Sequence, residues 1–209
     1  MISQEQHKDI KVIIKRDSSF ATKLTKYGFI TIEETLKNNI PLNVLYKEDE
    51  ILDVITKLIE CSPLKNLDDY KKDTLKSKLY EIPSNSLFHS NSDQGVLYSG
   101  YYLKGHDFYF SIYDIGIGIP NSVRKHLNNE NLSSRDALSW AFKEGNTTKI
   151  TDYPRGVGFT LLEEFRKEVK GKILLITEDI YYEAKNKYNK FNFLPNSVRG
   201  TLFTFKISV

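Results

Sequence analysis

The chain of 209 residues contains only one cysteine, Cys61. A single cysteine can form neither an intrachain disulfide nor a metal site built from several thiolates. No apolar run approaches the roughly 20 residues that a membrane-spanning helix requires. The first ten residues, MISQEQHKDI, lack the apolar stretch of a signal peptide. From these absences we expect a cytoplasmic protein that is not anchored in a membrane.

The sequence also lacks a strong excess of charge of either sign. Thirty Lys and Arg residues against 27 Asp and Glu residues leave a formal net charge of +3, which does not indicate a nucleic-acid or membrane partner. The hydrophobic content of 40% suffices for one well-buried core. Thirteen Tyr and twelve Phe residues favour a fold that contains a β-sheet.

The most informative stretch, FYFSIYDIGIGIP from Phe108 to Pro120, predicts a strand that ends in a carboxylate. Apolar residues alternate along it, so the strand delivers Asp114 to a turn that carries Gly116 and Gly118. A carboxylate in this place can accept a hydrogen bond from an amino group, and glycines let a ligand approach the backbone. A turn that needs positive φ would explain both glycines without a ligand. This stretch alone leaves both interpretations open.

Three further motifs accompany this stretch: Glu81-Ile-Pro-Ser-Asn85 before it, then Gly156-Val-Gly158 opening a helix, and Gly200-Thr-Leu-Phe-Thr-Phe in a closing strand. In this order the four segments resemble the motifs of the GHKL superfamily of ATP-binding domains. Its members include the ATP-binding part of DNA gyrase, MutL repair proteins, sensor histidine kinases and the serine kinases that act as anti-sigma factors. The resemblance covers about residues 67–209. Residues 1–66 are then an N-terminal segment of unknown role that packs on or precedes the core.

The resemblance implies the Bergerat ATP-binding fold, an α/β (α+β) two-layer sandwich. Its sheet is mixed and mostly antiparallel, with helices on one face, and ATP with Mg²⁺ lies between the helices and a lid at about residues 119–155. Periodicity in the sequence itself predicts the individual elements. Helices are predicted over about 20–27, 48–61, 67–90, 121–127 and 134–143, and strands over about 9–15, 95–103, 107–114, 172–178 and 200–209.

The resemblance implies that Asp114 accepts a hydrogen bond from the exocyclic amine of adenine. A carboxylate accepts a hydrogen bond from an amino group but opposes the carbonyl that guanine carries at that position, so we expect adenine to be preferred. By the same resemblance Thr201 approaches the adenine beside Asp114. Gly116, Gly118 and Ile119 contribute backbone and apolar surface near the base.

Glu81 and Asn85 are four residues apart, which places them on one side of a helix. The resemblance makes Asn85 an oxygen ligand of Mg²⁺ and Glu81 the base that accepts a proton from an attacking water or hydroxyl. Pro83 lies between them, where the family segment has no proline. It predicts a kink near residues 79–83 and so leaves the direction of Glu81 open.

The phosphate-binding residues implied by the resemblance are Thr148, Lys149, Arg155, Gly156, Val157 and Gly158. A helix N-terminus presents unpaired N–H groups to an anion, and small residues let a phosphate come close. Each group also has a simpler interpretation. Gly156 and Gly158 can serve helix-to-sheet packing, Arg155 can face water, and residues 144–149 also have the composition of an ordinary loop.

We therefore expect a stand-alone ATPase or protein kinase that transfers the γ-phosphate to water or to a partner protein. A self-contained histidine kinase is disfavoured because no long helical hairpin presents a phospho-acceptor histidine, and a gyrase-type machine is disfavoured by the length of the chain. The alternative is a non-catalytic switch in which ATP stabilises a partner-binding surface. The segment YYEAKNKYNKF resembles a nucleic-acid contact, but an exposed hairpin explains it more simply. A homodimer is left open.

Overall fold

The structure, a computed structural model, describes residues 40–89, 95–103, 107–143, 145–146, 163–164, 166–185 and 188–208. The elements predicted over residues 9–15 and 20–27 lie outside these ranges. In chain order the elements are β1 (Ile40–Leu45), α1 (Ile51–Cys61), α2 (Asp69–His89), β2 (Val96–Leu103), β3 (Asp107–Asp114), α3 (Ile119–Leu127), α4 (Ser134–Ala141), β4 (Lys172–Lys185) and β5 (Tyr188–Ser208). Short 3-10 helices, Glu48–Glu50 and Pro63–Asn66, flank α1.

The described strands form one sheet in the order β1-β2-β3-β5-β4. Each of the four pairings is antiparallel. Together with the helices, this sheet confirms the predicted fold class, an α+β sandwich with a mostly antiparallel sheet. Because β5 lies between β3 and β4, the closing strand of the chain sits beside the strand that ends in Asp114.

One face of the sheet is buried because apolar side chains alternate along the strands. In β3 the buried positions are Phe108, Phe110, Ile112 and Asp114. The apolar residues of α1 recur at helical spacing and join those of α2 and the buried sheet face in one hydrophobic core. Residues 40–66 contribute to the same core.

Helix α2 runs through Pro83 rather than ending at it. A proline in a helix has no N–H for the carbonyl four residues earlier, here that of Leu79. The buried side chains of Leu79 and Ile82 hold this part of the helix in the core, which offsets the lost hydrogen bond. Glu81 and Asn85 therefore remain on one helix, about one turn apart.

The hairpin of β4 and β5 is longer than the sequence predicted, with strands of 14 and 21 residues. Only residues 201–208 of β5 pair with β3. The β4–β5 register shifts twice, first between Thr177↔Thr201 and Glu178↔Val198 and again before Ile180↔Phe193. Three residues along β4, from 177 to 180, are thus matched by eight residues along β5, from 201 to 193. We call this part of the hairpin, residues 177–180 and 193–201, the bend.

Two contacts show that the hairpin folds back at the bend. Lys172 and Glu183 form an ion pair although both belong to β4, and a straight strand would separate them by roughly 36 Å. The hydroxyl of Tyr182 also donates to Oε1 of Glu163, at 3.1 Å. Beyond the bend Tyr182 and Ala184 are buried. The predicted hairpin is present, but its β4 strand is part of the core rather than fully exposed.

Candidate functional site

Three polar side chains lie in a row across the buried face of the sheet. Asp114 pairs with Thr201 in the β3–β5 register, and Thr201 pairs with Thr177 in the β4–β5 register. The three residues are only 4%, 9% and 0% exposed, respectively. We call Asp114, Thr201 and Thr177 the polar row. It stands where the otherwise apolar face ends, directly before the glycine turn of residues 116–118.

The carboxylate of Asp114 is held by backbone groups. Its Oδ1 accepts the N–H of Gly116 at 3.0 Å, and the N–H of Thr201 also donates to the carboxylate. Burial raises the pKa of Asp114 from 3.8 to about 6, although these two hydrogen bonds act in the opposite direction. An ionised carboxylate offers about four acceptor positions, so about two remain for a ligand.

Thr177 connects three parts of the site, and the sequence analysis missed it. Its Oγ1 accepts the N–H of Ile119 at 3.1 Å and donates to the carbonyl of Gly200 at 3.1 Å. The same atom lies 3.3 Å from Oγ1 of Thr201. Thr177 therefore fixes the first residue of α3 against β4 and β5 at the bend. A signal was present, since Thr177 occupies the next inward position of β4 after the apolar residues 173 and 175.

The glycines beside the polar row are required by the packing of the protein itself. Gly118 has φ +78°, and a Cβ there would lie 2.9 Å from Oγ1 of Thr177. Gly200 has φ +81°, and a Cβ there would lie 1.9 Å from the carbonyl oxygen of Asp114. The interpretation that the turn needs a glycine because of its positive φ is thus confirmed for Gly118. Gly116 uses its N–H to orient Asp114.

A largely buried ion pair joins α3 to the bend. Nη1 of Arg124 donates to Oε1 and Oε2 of Glu178 at 2.7 and 2.9 Å, and the two side chains are 18% and 13% exposed. Ser134 bridges the pair, since its Oγ accepts from Nη2 of Arg124 at 3.1 Å and donates to Oε2 of Glu178 at 2.8 Å. Nε of Arg124 donates to the carbonyl of Leu132 at 2.7 Å. The backbone of Glu178 has φ +50°, and this network compensates for that strained conformation.

An open cavity of about 420 Å³ lies between the glycine turn and the bend. Ile117 and Asn121 line one side, and Glu178, Val198 and Arg199 line the other. Cavities of this size accommodate small organic ligands. The site therefore consists of a buried polar row with an accessible depression beside its glycine turn.

The remaining predicted residues fall into two groups. Glu81 and Asn85 are half-buried in α2, a helix that contacts both β2 and β3. Ile119 is also half-buried and packs against the core. The residues Thr148, Lys149, Arg155, Gly156, Val157 and Gly158 lie outside the described ranges. Within those ranges no group of three or more His, Cys, Asp or Glu side chains is placed to hold a metal ion, so the Mg²⁺ role of Asn85 stays a prediction.

Comparison with known proteins adds little to this site. No family model and no curated protein matches the sequence. Among solved structures, the chain is similar to one described as the SiaB-SiaC complex from Pseudomonas aeruginosa, with 11% identity and a TM-score of 0.38 over 92% of this chain and 98% of that chain. A likeness at this level does not establish a family. In the part of the chain that is described, no helix is long and apolar enough to cross a membrane.

Proposed function

We propose that the chain binds ATP with Mg²⁺, with the adenine against the polar row. The observation that carries this proposal is Asp114, a carboxylate that is only 4% exposed and forms no ion pair with a described Lys or Arg. Burial of an ionised carboxylate without a cation costs free energy, and residues with such strongly shifted pKa values cluster at functional sites. The amino group of adenine would supply the missing donor.

The polar row suits adenine better than guanine. Asp114 has about two acceptor positions left after its backbone hydrogen bonds, and an amino group can use one of them. The carbonyl of guanine would instead face the carboxylate. The hydroxyl of Thr201 lies beside Asp114 and can donate a hydrogen bond to a ring nitrogen of the base. Ile119 contributes apolar surface at the start of α3.

The phosphates and Mg²⁺ belong, in this proposal, to the side of the site that faces α2 and the lid. Asn85 contributes an oxygen to Mg²⁺, an ion that bridges phosphates and neutralises their charge. Thr148, Lys149, Arg155 and residues 156–158 hold the phosphates. Protein groups act in phosphoryl transfer mainly by positioning and by stabilising charge, and these residue types suit both tasks.

We further propose that the γ-phosphate is transferred to a partner protein or to water, with Glu81 as the base. The continuity of α2 through Pro83 supports this role, because it keeps Glu81 and Asn85 on one side of one helix. The assignment to the GHKL superfamily, to a kinase or to an ATPase is part of the same proposal. It rests on the four sequence motifs and on the position of Asp114 at the end of β3.

The second candidate is a switch that binds ATP without transferring its phosphate. Pro83 favours it, because a proline two residues after Glu81 removes a backbone hydrogen bond where the base has to be aimed. In this version ATP stabilises the surface that binds the partner protein, and Glu81 has no catalytic task. The two candidates share the adenine site and differ only at Glu81.

Calorimetry with ATP and GTP in the presence of Mg²⁺ tests the nucleotide site. We expect saturable binding of ATP, at least tenfold weaker binding of GTP, and a loss of ATP affinity of at least about tenfold in Asp114→Asn, which corresponds to about 1.4 kcal/mol. Asp53→Asn, on the exposed side of α1, removes the same charge elsewhere and should bind ATP as the natural chain does. Failure of the natural chain, freed of bound nucleotide, to bind ATP would overturn the proposal.

Glu81→Gln distinguishes the enzyme from the switch, since it keeps the shape of the side chain but cannot accept a proton. The readouts are ATP affinity and release or transfer of radiolabelled γ-phosphate. If Glu81 is the base, phosphoryl transfer falls by at least about a hundredfold while ATP affinity stays within about threefold. Unchanged transfer in the variant would exclude Glu81 as the base, and absence of transfer in the natural chain would favour the switch.

A further inference from the structure

Lys78 connects α2 to a helical segment that lies far along the chain. Residues 163–164 and 166–168 are helical, and we call them the connecting segment. Nζ of Lys78 donates to Oε1 of Glu168 at 2.8 Å and lies 3.5 Å from Oε2 of Glu164. The side chain of Lys78 is only 11% exposed, whereas those of the two glutamates are about half exposed. Lysine is rarely covered to this extent unless it is paired.

The contact of Lys78 shows which side of α2 is turned towards the connecting segment. Glu81 and Asn85 follow Lys78 by three and seven residues, so the three residues lie along one side of the helix. The core residues Leu79 and Ile82 point about a quarter of a turn away from that side. Because Lys78 reaches the connecting segment, the side of α2 that carries Glu81 and Asn85 faces the same way.

The connecting segment is also anchored to β4. Oε1 of Glu163 accepts a hydrogen bond from the hydroxyl of Tyr182 at 3.1 Å, and Oε2 of Glu163 accepts one from Nε of Arg166 at 2.9 Å. Tyr182 and Arg166 are both buried. The N–H of Gly171 donates to the carbonyl of Arg166 at 2.8 Å, where the segment ends. The segment is therefore fixed to the hairpin, and Lys78 links this assembly to α2.

The connecting segment comes shortly after the glycine motif in the chain. The sequence predicts that residues 156–158 open a helix, and the connecting segment falls within that predicted helix. We propose that Lys78 is a positioning residue, whose ion pairs with the connecting segment hold residues 156–158 in line with the two residues of α2 assigned to Mg²⁺ and to the base. This inference rests on the proposed function, because it concerns how the phosphates of ATP are held between these elements.

The charges around Lys78 favour positioning over direct contact with a phosphate. Its ammonium faces two carboxylates, so the cluster of Lys78, Glu164 and Glu168 carries a net charge of −1. The hydrogen bond to Glu168 raises the pKa of Lys78, which keeps the ammonium charged. Carboxylates close to a triphosphate would repel it, so a lysine meant to bind phosphate directly would not be surrounded in this way. Alignment matters because a displacement of about 1 Å at a reacting group can cost about a hundredfold in rate.

Calorimetry of the full chain with adenosine, and with ATP in the presence of Mg²⁺, tests this role. Adenosine has no phosphate, so the ratio of ATP affinity to adenosine affinity reports on the phosphates alone. Lys78→Met keeps the length of the side chain and removes its charge. We expect it to lower this ratio at least about fivefold and to leave adenosine affinity within about twofold. Lys78→Arg keeps the charge and should retain most of the ratio.

Lys76→Met is the matched control for Lys78→Met. Lys76 lies on the same helix and pairs with Asp73 of that helix at 2.9 Å. An ion pair within one helix does not fix that helix against another element. The ratio of ATP affinity to adenosine affinity should therefore be the same in Lys76→Met as in the natural chain.

Glu164→Gln combined with Glu168→Gln is the second variant, and it also serves in case Lys78→Met does not fold. It removes both carboxylates and leaves the ammonium of Lys78 in place. If Lys78 acts by positioning, the ratio falls about as far as in Lys78→Met, although the loss of two negative charges would by itself favour an anion. A ratio that stays the same or rises would show that the ion pairs do not position the phosphate site, and would overturn the proposal.

The remaining outcomes separate this inference from the nucleotide site itself. A natural chain that binds ATP, with the same ratio in a folded Lys78→Met, would overturn the role of Lys78 and leave the ATP site standing. Equal losses of ATP and adenosine affinity in Lys78→Met would overturn it too, because they indicate a general structural role. A natural chain that binds neither ligand would overturn the proposed function and this inference with it.

Discussion

Gly200 is the residue whose replacement the packing of the site tolerates least. A Cβ at this position would lie 1.9 Å from the carbonyl oxygen of Asp114, and neither backbone can move away without breaking the pairing of β3 with β5. We expect Gly200→Ala to lower the free energy of unfolding by about 3 kcal/mol or more. Chemical denaturation monitored by circular dichroism measures the change.

Gly145→Ala is the matched control for Gly200→Ala. Gly145 has φ +83°, which is close to the φ of +81° at Gly200, but nothing lies within 4 Å of its Cβ position. The control therefore contains the backbone strain without the steric clash and should cost about 1 kcal/mol. Equal losses in the two variants would show that φ alone, and not the approach to Asp114, makes Gly200 necessary.

Asp114 makes stability depend on pH in a direction that is unusual for a carboxyl group. Burial raises its pKa to about 6 in the folded chain, whereas an unfolded chain has the ordinary value near 4. The folded state thus holds the proton more tightly. The stabilisation from protonated Asp114 is complete below about pH 4 and is lost as the pH rises through about 6, by on the order of 2 kcal/mol.

Comparison with Asp114→Asn isolates this effect, since the amide does not titrate in this range. We subtract the unfolding free energy of the variant from that of the natural chain. This difference should decrease as the pH rises from about 4 to about 7. Denaturant titrations at several pH values measure it. The amide can change the free energy of unfolding by an amount that is the same at every pH, and this does not affect the test. A difference that does not change with pH would contradict the raised pKa.

Among the elements, the bend depends on the ion pair between Arg124 and Glu178. Arg124→Ala removes the cation and leaves the largely buried carboxylate of Glu178 unpaired. Loss of one partner of a buried ion pair destabilises a protein more than loss of one partner of an exposed pair. Some solvent reaches both side chains, which are 18% and 13% exposed. We therefore expect a loss of about 2 kcal/mol in denaturant unfolding, below the full cost for a completely buried pair.

Lys76→Ala is the control for this substitution. Lys76 contacts Asp73 at 2.9 Å, but the two side chains are 41% and 73% exposed. Pairs of this kind contribute at most about 1 kcal/mol and often nothing measurable. If Arg124→Ala costs no more than Lys76→Ala, the bend is held by its backbone pairing and by the buried residues of β4, and the network is incidental.

For the whole molecule, ATP should act as a stabilising ligand if the nucleotide proposal holds. A ligand that binds only the folded state stabilises it by about 2.7 kcal/mol at a hundred times its Kd. The midpoint of thermal unfolding should therefore rise with the concentration of ATP and Mg²⁺, and it should rise less with GTP at the same concentrations. Differential scanning fluorimetry of the natural chain and of Asp114→Asn measures both effects, and equal shifts with the two nucleotides would contradict the role of Asp114.

The sequence by itself determined the elements whose signals are local. Alternation in residues 108–114 predicts β3, and helical spacing of apolar residues predicts α1 and α2. The order of the four motifs indicated the fold class, and the alternation placed Asp114 at a strand end beside a glycine turn. Burial of Asp114 also follows from this alternation, because it continues the inward series of Phe108, Phe110 and Ile112.

Only the tertiary structure decided how the site is assembled. Thr177 joins Asp114 and Thr201 because β5 pairs with both β3 and β4, and Arg124 meets Glu178 across 54 positions of sequence. The length of the hairpin and its bend depend on a change of register between two strands. Such contacts join residues that are distant along the chain, so no local periodicity specifies them, and they form only when the whole sheet and its helices are packed together.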